Sequence, residues 1–443
     1  MARADTRPSP SLPTRRPDKL GLREVVAMGI GGMVGGGIFS VLGLAIAEAG
    51  HAAPIAFALG GVIALLTGLS YARLGLLFHP SGGSFTFLEH AFTHPNLAAI
   101  GGWLLLVGYV GTMALYAFTF GIYGSAMLGG GSGPILHHLL ATAILLAFLG
   151  INLNGVRSSG TTELVIVAVK VAILFLFAGI GLFFARADHL LPLFDRGYAG
   201  VIMGAALIFV AYEGFELIPN AIHDMEDPQR NLTRAIVWSI LVTILIYLLV
   251  STVAVGNLTP PEITKYKEYA LAVAARPFLG QAGFLLIGLA ALFSTASAIN
   301  ATLFGTARLA TIMARDRALP KIFGLMARHD HVPWVSLTTI TIVTMLFVNF
   351  ADLTVISSFA SSTFLLIFAI VNWSAWCLRR ETGGSGYAAL VGLFLSLASW
   401  LALMAYLCRN DPRNLYWIGV TYLAVVLAEL LFSERRLLRR GLR

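Results

Sequence analysis

The stretch Gly29-Ile-Gly-Gly-Met-Val-Gly-Gly-Gly-Ile-Phe39 lies in the middle of the first long apolar segment. Six glycines in nine positions weaken a helix, since each interior glycine costs about 0.5–1 kcal/mol relative to alanine. Three are consecutive, Gly35 to Gly37, and predict that the helix opens near mid-membrane. Backbone groups freed at that depth are tolerated only where they face protein or a wet cavity. One interpretation is therefore a binding site built from backbone atoms. The other is close helix packing through the pairs Gly31/Gly35 and Gly32/Gly36.

The composition is that of a membrane protein: 57% of the 443 residues are hydrophobic and 12% are charged. A helix that crosses a bilayer needs about 20 mostly apolar residues. Twelve segments meet this requirement, so we predict an all-α integral membrane protein with twelve transmembrane helices. We call them spans 1 to 12. They cover residues 23–47, 54–77, 96–128, 134–151, 162–185, 200–223, 233–256, 281–313, 335–350, 352–378, 387–408 and 413–433.

The basic residues predict the orientation in the membrane. With the N-terminus inside, 21 of the 30 Lys and Arg residues fall on the cytoplasmic side, seven fall outside, and two lie within spans. This bias predicts that both termini are cytoplasmic, as an even number of spans requires. Residues 1–20 are predicted to be a disordered basic N-terminus, and residues 434–443 a basic tail. The basic residues are dispersed among short loops, which argues against nucleic acid as a partner.

One of the two basic residues within spans, Lys170, lies deep in span 5. A cation at that depth costs roughly 2.5–3.5 kcal/mol on insertion scales. Snorkelling is the alternative interpretation, but the ammonium group would have to climb two or more helical turns. A lysine that can lose its proton inside a membrane protein is a candidate proton carrier. We therefore predict a functional role for Lys170.

Span 6 carries two carboxyl groups in mid-span, in the stretch Phe209-Val-Ala-Tyr-Glu-Gly-Phe-Glu216. Glu213 and Glu216 are three residues apart and share a face if the helix persists. Acids within a membrane face a cavity or a partner, which makes Glu216 a possible gating or cavity acid. The alternative is a packing pair neutralised by protonation or hydrogen bonding. Gly214 and Pro219 predict an interruption of the helix.

Spans 1 and 6 are thus both interrupted, and they lie five spans apart. Paired broken helices at corresponding places are typical of an inverted repeat. The first repeat would cover spans 1–5, residues 21–185, and the second spans 6–10, residues 200–380. Spans 11 and 12, residues 387–433, would lie outside the repeat.

Other stretches are less specific. Span 8 is unusually polar around Ser294 and Thr295, whose hydroxyls could pair with an ion, with Lys170 or with helix carbonyls. The connector after span 2 contains Pro80-Ser-Gly-Gly-Ser84 and is either an ordinary loop or a surface-lying amphipathic segment. Cys377 and Cys408 show no metal-binding spacing and imply no disulfide. No metal, cofactor or catalytic motif is found in the spans, so an enzyme is not expected.

Four blocks, in this order, resemble the amino acid–polyamine–organocation (APC) transporter superfamily. The chain is most similar to its prokaryotic branch of broad-specificity, sodium-independent, proton-coupled amino acid transporters. The likeness covers spans 1–10 and extends toward all twelve. The blocks are Gly35-Gly-Gly-Ile-Phe39, the segment around Lys170, Ala211-Tyr-Glu-Gly-Phe215 leading to Asp227-Pro228, and Phe293-Ser-Thr-Ala-Ser-Ala-Ile-Asn-Ala301 running into Ala314-Arg-Asp-Arg-Ala-Leu-Pro320.

This resemblance implies a leucine-transporter-like five-plus-five inverted repeat, with spans 1 and 6 unwound around an amino acid. Amides of span 1 would take its carboxylate, and carbonyls of span 6 its ammonium group. Lys170 would occupy the place of the ion in sodium-coupled relatives and couple transport to protons. Ser294 and Thr295 would be its partners at that ion-equivalent site. The substrate-binding residues implied are Gly35, Gly36, Gly37, Ile38, Phe209, Ala211, Tyr212, Glu213 and Gly214.

The chain departs from the family pattern at Glu213, where related chains often place a small or apolar residue. An acid there would either favour a cationic side chain on the substrate or pair internally. The expected partners are therefore an amino acid, protons and the lipid bilayer. If Glu213 contacts the substrate, the amino acid is expected to be cationic. The expected activity is proton-coupled symport by alternating access. An amino acid or polyamine exchanger and a non-transporting nutrient sensor are the alternatives.

Overall fold

The computed structural model describes residues 19–79, 83–92, 95–129, 134–155, 160–327, 332–383 and 386–432. Most of the predicted N-terminal extension, residues 80–82 of the connector and the predicted tail at 434–443 lie outside these ranges. The described chain is helical, apart from one isolated β-bridge and the connecting loops. The prediction of an all-α, multi-pass membrane protein is confirmed.

Each predicted span coincides with helix. Span 1 consists of α1 (Leu22–Met33) and α2 (Gly37–Ala49), and span 6 of α8 (Gly197–Leu207) followed by two 3₁₀ segments, Phe209–Tyr212 and Phe215–Asp224. The remaining spans are single helices. They are α3 (Ala53–Phe78), α5 (Pro95–Met127), α6 (Pro134–Leu153), α7 (Gly160–Phe184), α9 (Pro228–Asn257), α12 (Arg276–Arg315), α13 (Trp334–Phe350), α14 (Leu353–Cys377), α15 (Tyr387–Asn410) and α16 (Pro412–Phe432).

Length and hydropathy alone select nine membrane-crossing helices among the described residues, and the two halves of span 6, bent by 49°, make a tenth. Two spans are missing from that count for simple reasons. The second half of span 1 runs on into span 2 and is counted with it as Gly37–Phe78. Span 9, Trp334–Phe350, has 17 residues and is the shortest of the spans formed by one helix.

Three short helices connect the spans. The first, α4 (Ser84–Ala91), follows the Pro-Ser-Gly-Gly connector, and α10 (Pro260–Tyr266) and α11 (Ala270–Ala274) lie between spans 7 and 8. The side chains of Phe85 and Phe87 on α4 are fully buried. This helix therefore packs into the protein, and its aromatic residues do not lie on a membrane surface.

Spans 1 and 6 run antiparallel and touch through their backbones. A Cβ atom added at Gly32 would lie 3.1 Å from the Cα atom of Gly214, and one at Gly37 would lie 2.6 Å from the Cα atom of Ala211. The two breaks therefore lie side by side. Small residues are required here, because a side chain at either glycine would force the two backbones apart.

The hydrogen bonds around the two broken spans are arranged as an inverted repeat requires. Span 5 bonds to span 1 through Lys170, and span 10 bonds to span 6 through Ser361. Span 8 bonds to span 1 through Ser294, and span 3 bonds to span 6 through Thr112. Exchanging the halves converts each contact of the first repeat into the corresponding contact of the second.

A short strand pairing joins the outer ends of the same two spans. Leu20, just before α1, donates its amide to the Asp224 carbonyl at 2.7 Å and accepts the Glu226 amide at 2.9 Å. The two residues paired in the β-bridge are Leu20 and Met225. The beginning of span 1 is thereby fixed to the end of span 6.

Candidate functional site

The break in span 1 covers Val34 to Gly36, between the end of α1 and the start of α2. Every carbonyl from Gly31 to Gly36 accepts a hydrogen bond or lies against a donor. The Gly31 carbonyl accepts from the Lys170 ammonium group, the Gly32 carbonyl from the Gly35 amide, and the Met33 carbonyl from the Tyr247 hydroxyl. The Ser294 hydroxyl lies against the Val34 and Gly35 carbonyls, and the Ser40 hydroxyl donates to the Gly36 carbonyl. Each carbonyl of this break therefore already has a donor from the protein itself.

The start of α2 carries backbone amides that its own helix cannot satisfy. The first amides of a helix have no acceptor within it, and the N-cap residue of α2, Gly36, has no side chain that could cap them. The helix dipole adds a partial positive charge at this end. Together these features suit the start of α2, at Gly37 and Ile38, to an anionic group such as a carboxylate.

A tyrosine from span 3 covers this end of α2. A Cβ atom at Gly36 would lie 2.2 Å from Cδ1 of Tyr116 and 3.1 Å from Cγ2 of Thr295. Tyr116 is itself buried. The structure is thus closed around the break, and clefts of about 420 and 550 Å³ open elsewhere on the molecule.

The break in span 6 has the opposite character. Glu213 has extended backbone and Gly214 has φ +127°, so the helix does not persist between the two acids. The Glu213 carboxyl accepts a hydrogen bond from the Thr112 hydroxyl of α5. The Glu216 carboxyl turns back to the Gly214 amide, 2.6 Å from its Oε2 atom. Both acids are buried, so this break presents carboxyl oxygens where the other presents amides.

The remaining backbone of the second break is held by two neighbouring spans. The Leu207 carbonyl, at the end of α8, accepts from Ser361 of α14 at 2.7 Å. The Tyr247 hydroxyl of α9 lies between the carbonyls of Met33, at 2.6 Å, and Ala211, at 2.7 Å. Tyr247 therefore joins one break to the other. Phe209 and Tyr212 are also buried here, and the Tyr212 hydroxyl donates to the Phe57 carbonyl at 2.7 Å.

Lys170 of α7 contacts span 1 just before its break. Its side chain is 1% exposed, and its Nζ atom is 2.8 Å from the Gly31 carbonyl oxygen, one turn before the break. Ser294 contacts the Val34 and Gly35 carbonyls, whereas the Thr295 hydroxyl bonds the Ala291 carbonyl of its own helix. Lysine and serine thus hold neighbouring carbonyls of one segment.

A polar stripe on α5, which was not among the residues predicted from the sequence, faces both breaks. Its spacing of three and four residues, unusual for polar groups in an apolar helix, is the signal that could have revealed it. Thr112 reaches Glu213 and Tyr116 covers Gly36, while Thr119 lies 2.5 Å from the Ser40 hydroxyl. The full stripe is Tyr109, Thr112, Tyr116, Thr119 and Tyr123.

Two broken antiparallel spans, each held by carbonyl and hydroxyl contacts at mid-helix, define a multi-pass membrane transporter. A model of the amino acid permease family matches residues 20–428. The chain belongs to this family, which is part of the APC superfamily.

Individual proteins agree with this assignment. The chain is 33% identical to an uncharacterized protein of Methanocaldococcus jannaschii, over 94% of this chain and 95% of the other. It is 31% identical to the inner membrane transport protein YbaT of Escherichia coli, over 92% and 95%. A solved structure of the Eremococcus coleocola manganese transporter shares the fold, with a TM-score of 0.62, 12% identity and 92% coverage of both chains.

Gly36→Leu is expected to abolish substrate binding in a protein that still folds. The leucine side chain would fill the space over the first amides of α2, where Tyr116 already lies within contact distance. Tyrosine can rotate away, so the fold tolerates the change better than the site does. Binding is measured by ligand-induced thermal shift of the purified protein. Gly305→Leu is the control, since a Cβ atom there meets nothing within 4 Å. Unchanged affinity in Gly36→Leu would place the site elsewhere.

Proposed function

We propose that the protein is a proton-coupled, sodium-independent amino acid symporter that works by alternating access in the cytoplasmic membrane. Both termini are cytoplasmic in this proposal, because 21 of the 30 basic residues then face the cytoplasm. The two repeats are residues 21–185 and 200–380. The substrate site comprises the predicted residues of the two breaks, from Gly35 to Ile38 and from Phe209 to Gly214.

One observation carries the proposal: the two adjacent breaks have opposite character. The break in span 1 carries the first amides of α2, which their own helix cannot satisfy, and the break in span 6 carries the carboxyl groups of Glu213 and Glu216. An amino acid has a carboxylate and an ammonium group one carbon apart. An amino acid complements the two breaks, because the α2 amides would face its carboxylate and the carboxyl groups of span 6 would face its ammonium group. The family to which the chain belongs is described by the same class of substrate.

Lys170 supplies the coupling in this proposal. Its ammonium group ties span 5 to the Gly31 carbonyl of span 1, one turn from the substrate amides. A charged donor makes a hydrogen bond about twice as strong as a neutral one. Loss of the proton therefore loosens the attachment of α1. In this proposal the contact links proton release to the opening of span 1.

Uptake into proteoliposomes tests the proposal. We expect an inward proton gradient to drive accumulation of a radiolabelled amino acid, and an inward sodium gradient to have no effect. Competition by the twenty amino acids and common polyamines then identifies the preferred substrate. Uptake that requires amino acid inside the vesicle, with or without a proton gradient, would show an exchanger. Binding without any uptake would show a sensor.

A further inference from the structure

We propose that Glu213 makes the site selective for amino acids with a positively charged side chain, and that Thr112 positions its carboxyl group. This inference rests on the proposed function, because it assigns a substrate class to the same site. It follows from the two acids buried at the break in span 6 and from the geometry of α5.

The break in span 6 buries two acidic side chains. Glu213 and Glu216 are 3% and 2% exposed. Within the described ranges, no salt bridge joins either acid to a basic side chain. Ionised carboxyl groups at this depth require a compensating cation or a proton.

The substrate can supply that cation. A zwitterionic amino acid brings one cationic group and leaves one of the two carboxyl groups without a cation. An amino acid with a second ammonium or a guanidinium group brings two cationic groups, one for each carboxyl group. Burial of the site from water makes this difference large, since screening by solvent is lost.

The two carboxyl groups have different surroundings and suit different cations. Glu216 is bound through Oε2 to the Gly214 amide, and its Oε1 atom is buried and accepts no hydrogen bond from the described residues. This carboxyl group, which the Tyr109 hydroxyl of α5 also approaches, suits the α-ammonium group. Glu213 instead reaches out to α5, where the Thr112 hydroxyl holds its carboxyl group. Its position suits a second cation further along the substrate.

The spacing fits a long side chain. Thr112 and Tyr116 are one turn apart on α5, a rise of about 6 Å for four residues. Tyr116 covers Gly36, next to the Gly37 and Ile38 amides where the substrate carboxylate would bind, and Thr112 holds Glu213. A substrate anchored at these amides therefore needs a stem about one helical turn long to reach Glu213. The four-carbon stem of lysine has that reach.

Lysine and norleucine are the matched probes, because norleucine has the same stem without the terminal ammonium group. We expect wild-type protein in detergent to bind lysine at least about tenfold more tightly than norleucine by isothermal titration, the effect of one charge-assisted hydrogen bond in a buried site. Glu213→Gln should lower lysine affinity by about the same factor and change norleucine affinity by less than about twofold. Thr112→Val should weaken lysine binding alone, and by a smaller factor.

Equal binding of lysine and norleucine by wild-type protein would overturn the inference and leave the proposed function intact. So would a parallel loss of both ligands in Glu213→Gln, which would place that carboxyl group at the α-ammonium instead. Failure of every amino acid to bind wild-type protein would overturn the proposed function itself. If Glu213→Gln does not fold, the wild-type comparison and Thr112→Val decide the question.

Discussion

Lys170→Met is expected to reduce uptake driven by a proton gradient to the level of empty liposomes. The substitution keeps the apolar stem of the side chain and removes the ammonium group that bonds the Gly31 carbonyl at 2.8 Å. A hydrogen bond from a charged donor contributes about 1.5–3 kcal/mol, which corresponds to a factor of about ten or more in the equilibrium that it biases. The measurement is radiolabelled amino acid uptake with an imposed inward pH gradient.

Substrate binding in the same variant separates coupling from folding. Affinity measured by thermal shift should survive in Lys170→Met, because Lys170 contacts α1 and not the first amides of α2. Lys265→Met is the matched control: its ammonium group is exposed beside the Tyr266 ring on α10, and its uptake should equal wild type. Undiminished gradient-driven uptake in Lys170→Met would remove the lysine from the coupling mechanism.

Gly214→Ala is expected to destabilise the protein by about 2–5 kcal/mol. Gly214 has φ +127°, a conformation that costs other residues about 1–2 kcal/mol. Its added Cβ atom would lie 2.5 Å from the Gly32 carbonyl carbon and 2.6 Å from the Met33 amide nitrogen. These are backbone atoms that cannot rotate away, and forcing extra volume into a packed contact costs about 1–3 kcal/mol more. The measurement is the midpoint of thermal unfolding in detergent, followed by tryptophan fluorescence.

Gly305→Ala provides the comparison for Gly214→Ala. Gly305 lies within α12, and a Cβ atom there meets nothing within 4 Å. Alanine should raise the stability slightly, by about 0.5–1 kcal/mol, because glycine is the poorer helix residue. An unfolding midpoint of Gly214→Ala equal to that of wild type would contradict the backbone contact between spans 1 and 6.

The fold could be predicted from the sequence because two strong local signals determine it. Length and hydropathy located the spans, as every backbone group in a bilayer must be satisfied within its own helix. Gly35 to Gly37 and Gly214 marked the two breaks, since glycine is costly in a helix interior and tolerates positive φ. Both signals are readable without knowing which residues meet in space.

The contacts within the site could not be predicted in the same way. Thr112 and Glu213 are about a hundred residues apart, and nothing near Thr112 in sequence announces an acidic partner. The predicted association of Lys170 with span 1 agrees with the contact to Gly31, but Ser294 and Thr295 turn to other carbonyls. Which face of α12 a hydroxyl occupies depends on helix rotation, and local sequence leaves that rotation open.

The short strand pairing at Leu20 gives the two broken spans a mechanical connection. Two hydrogen bonds, of 2.7 and 2.9 Å, join the first half of span 1 to the last part of span 6 at one end. At the other end Gly32 and Gly214 meet without side chains and form a pivot. Movement of the first half of span 1 is therefore transmitted to the last part of span 6. In the proposed transport cycle, the two breaks would therefore open together and release both charged groups of the substrate at once.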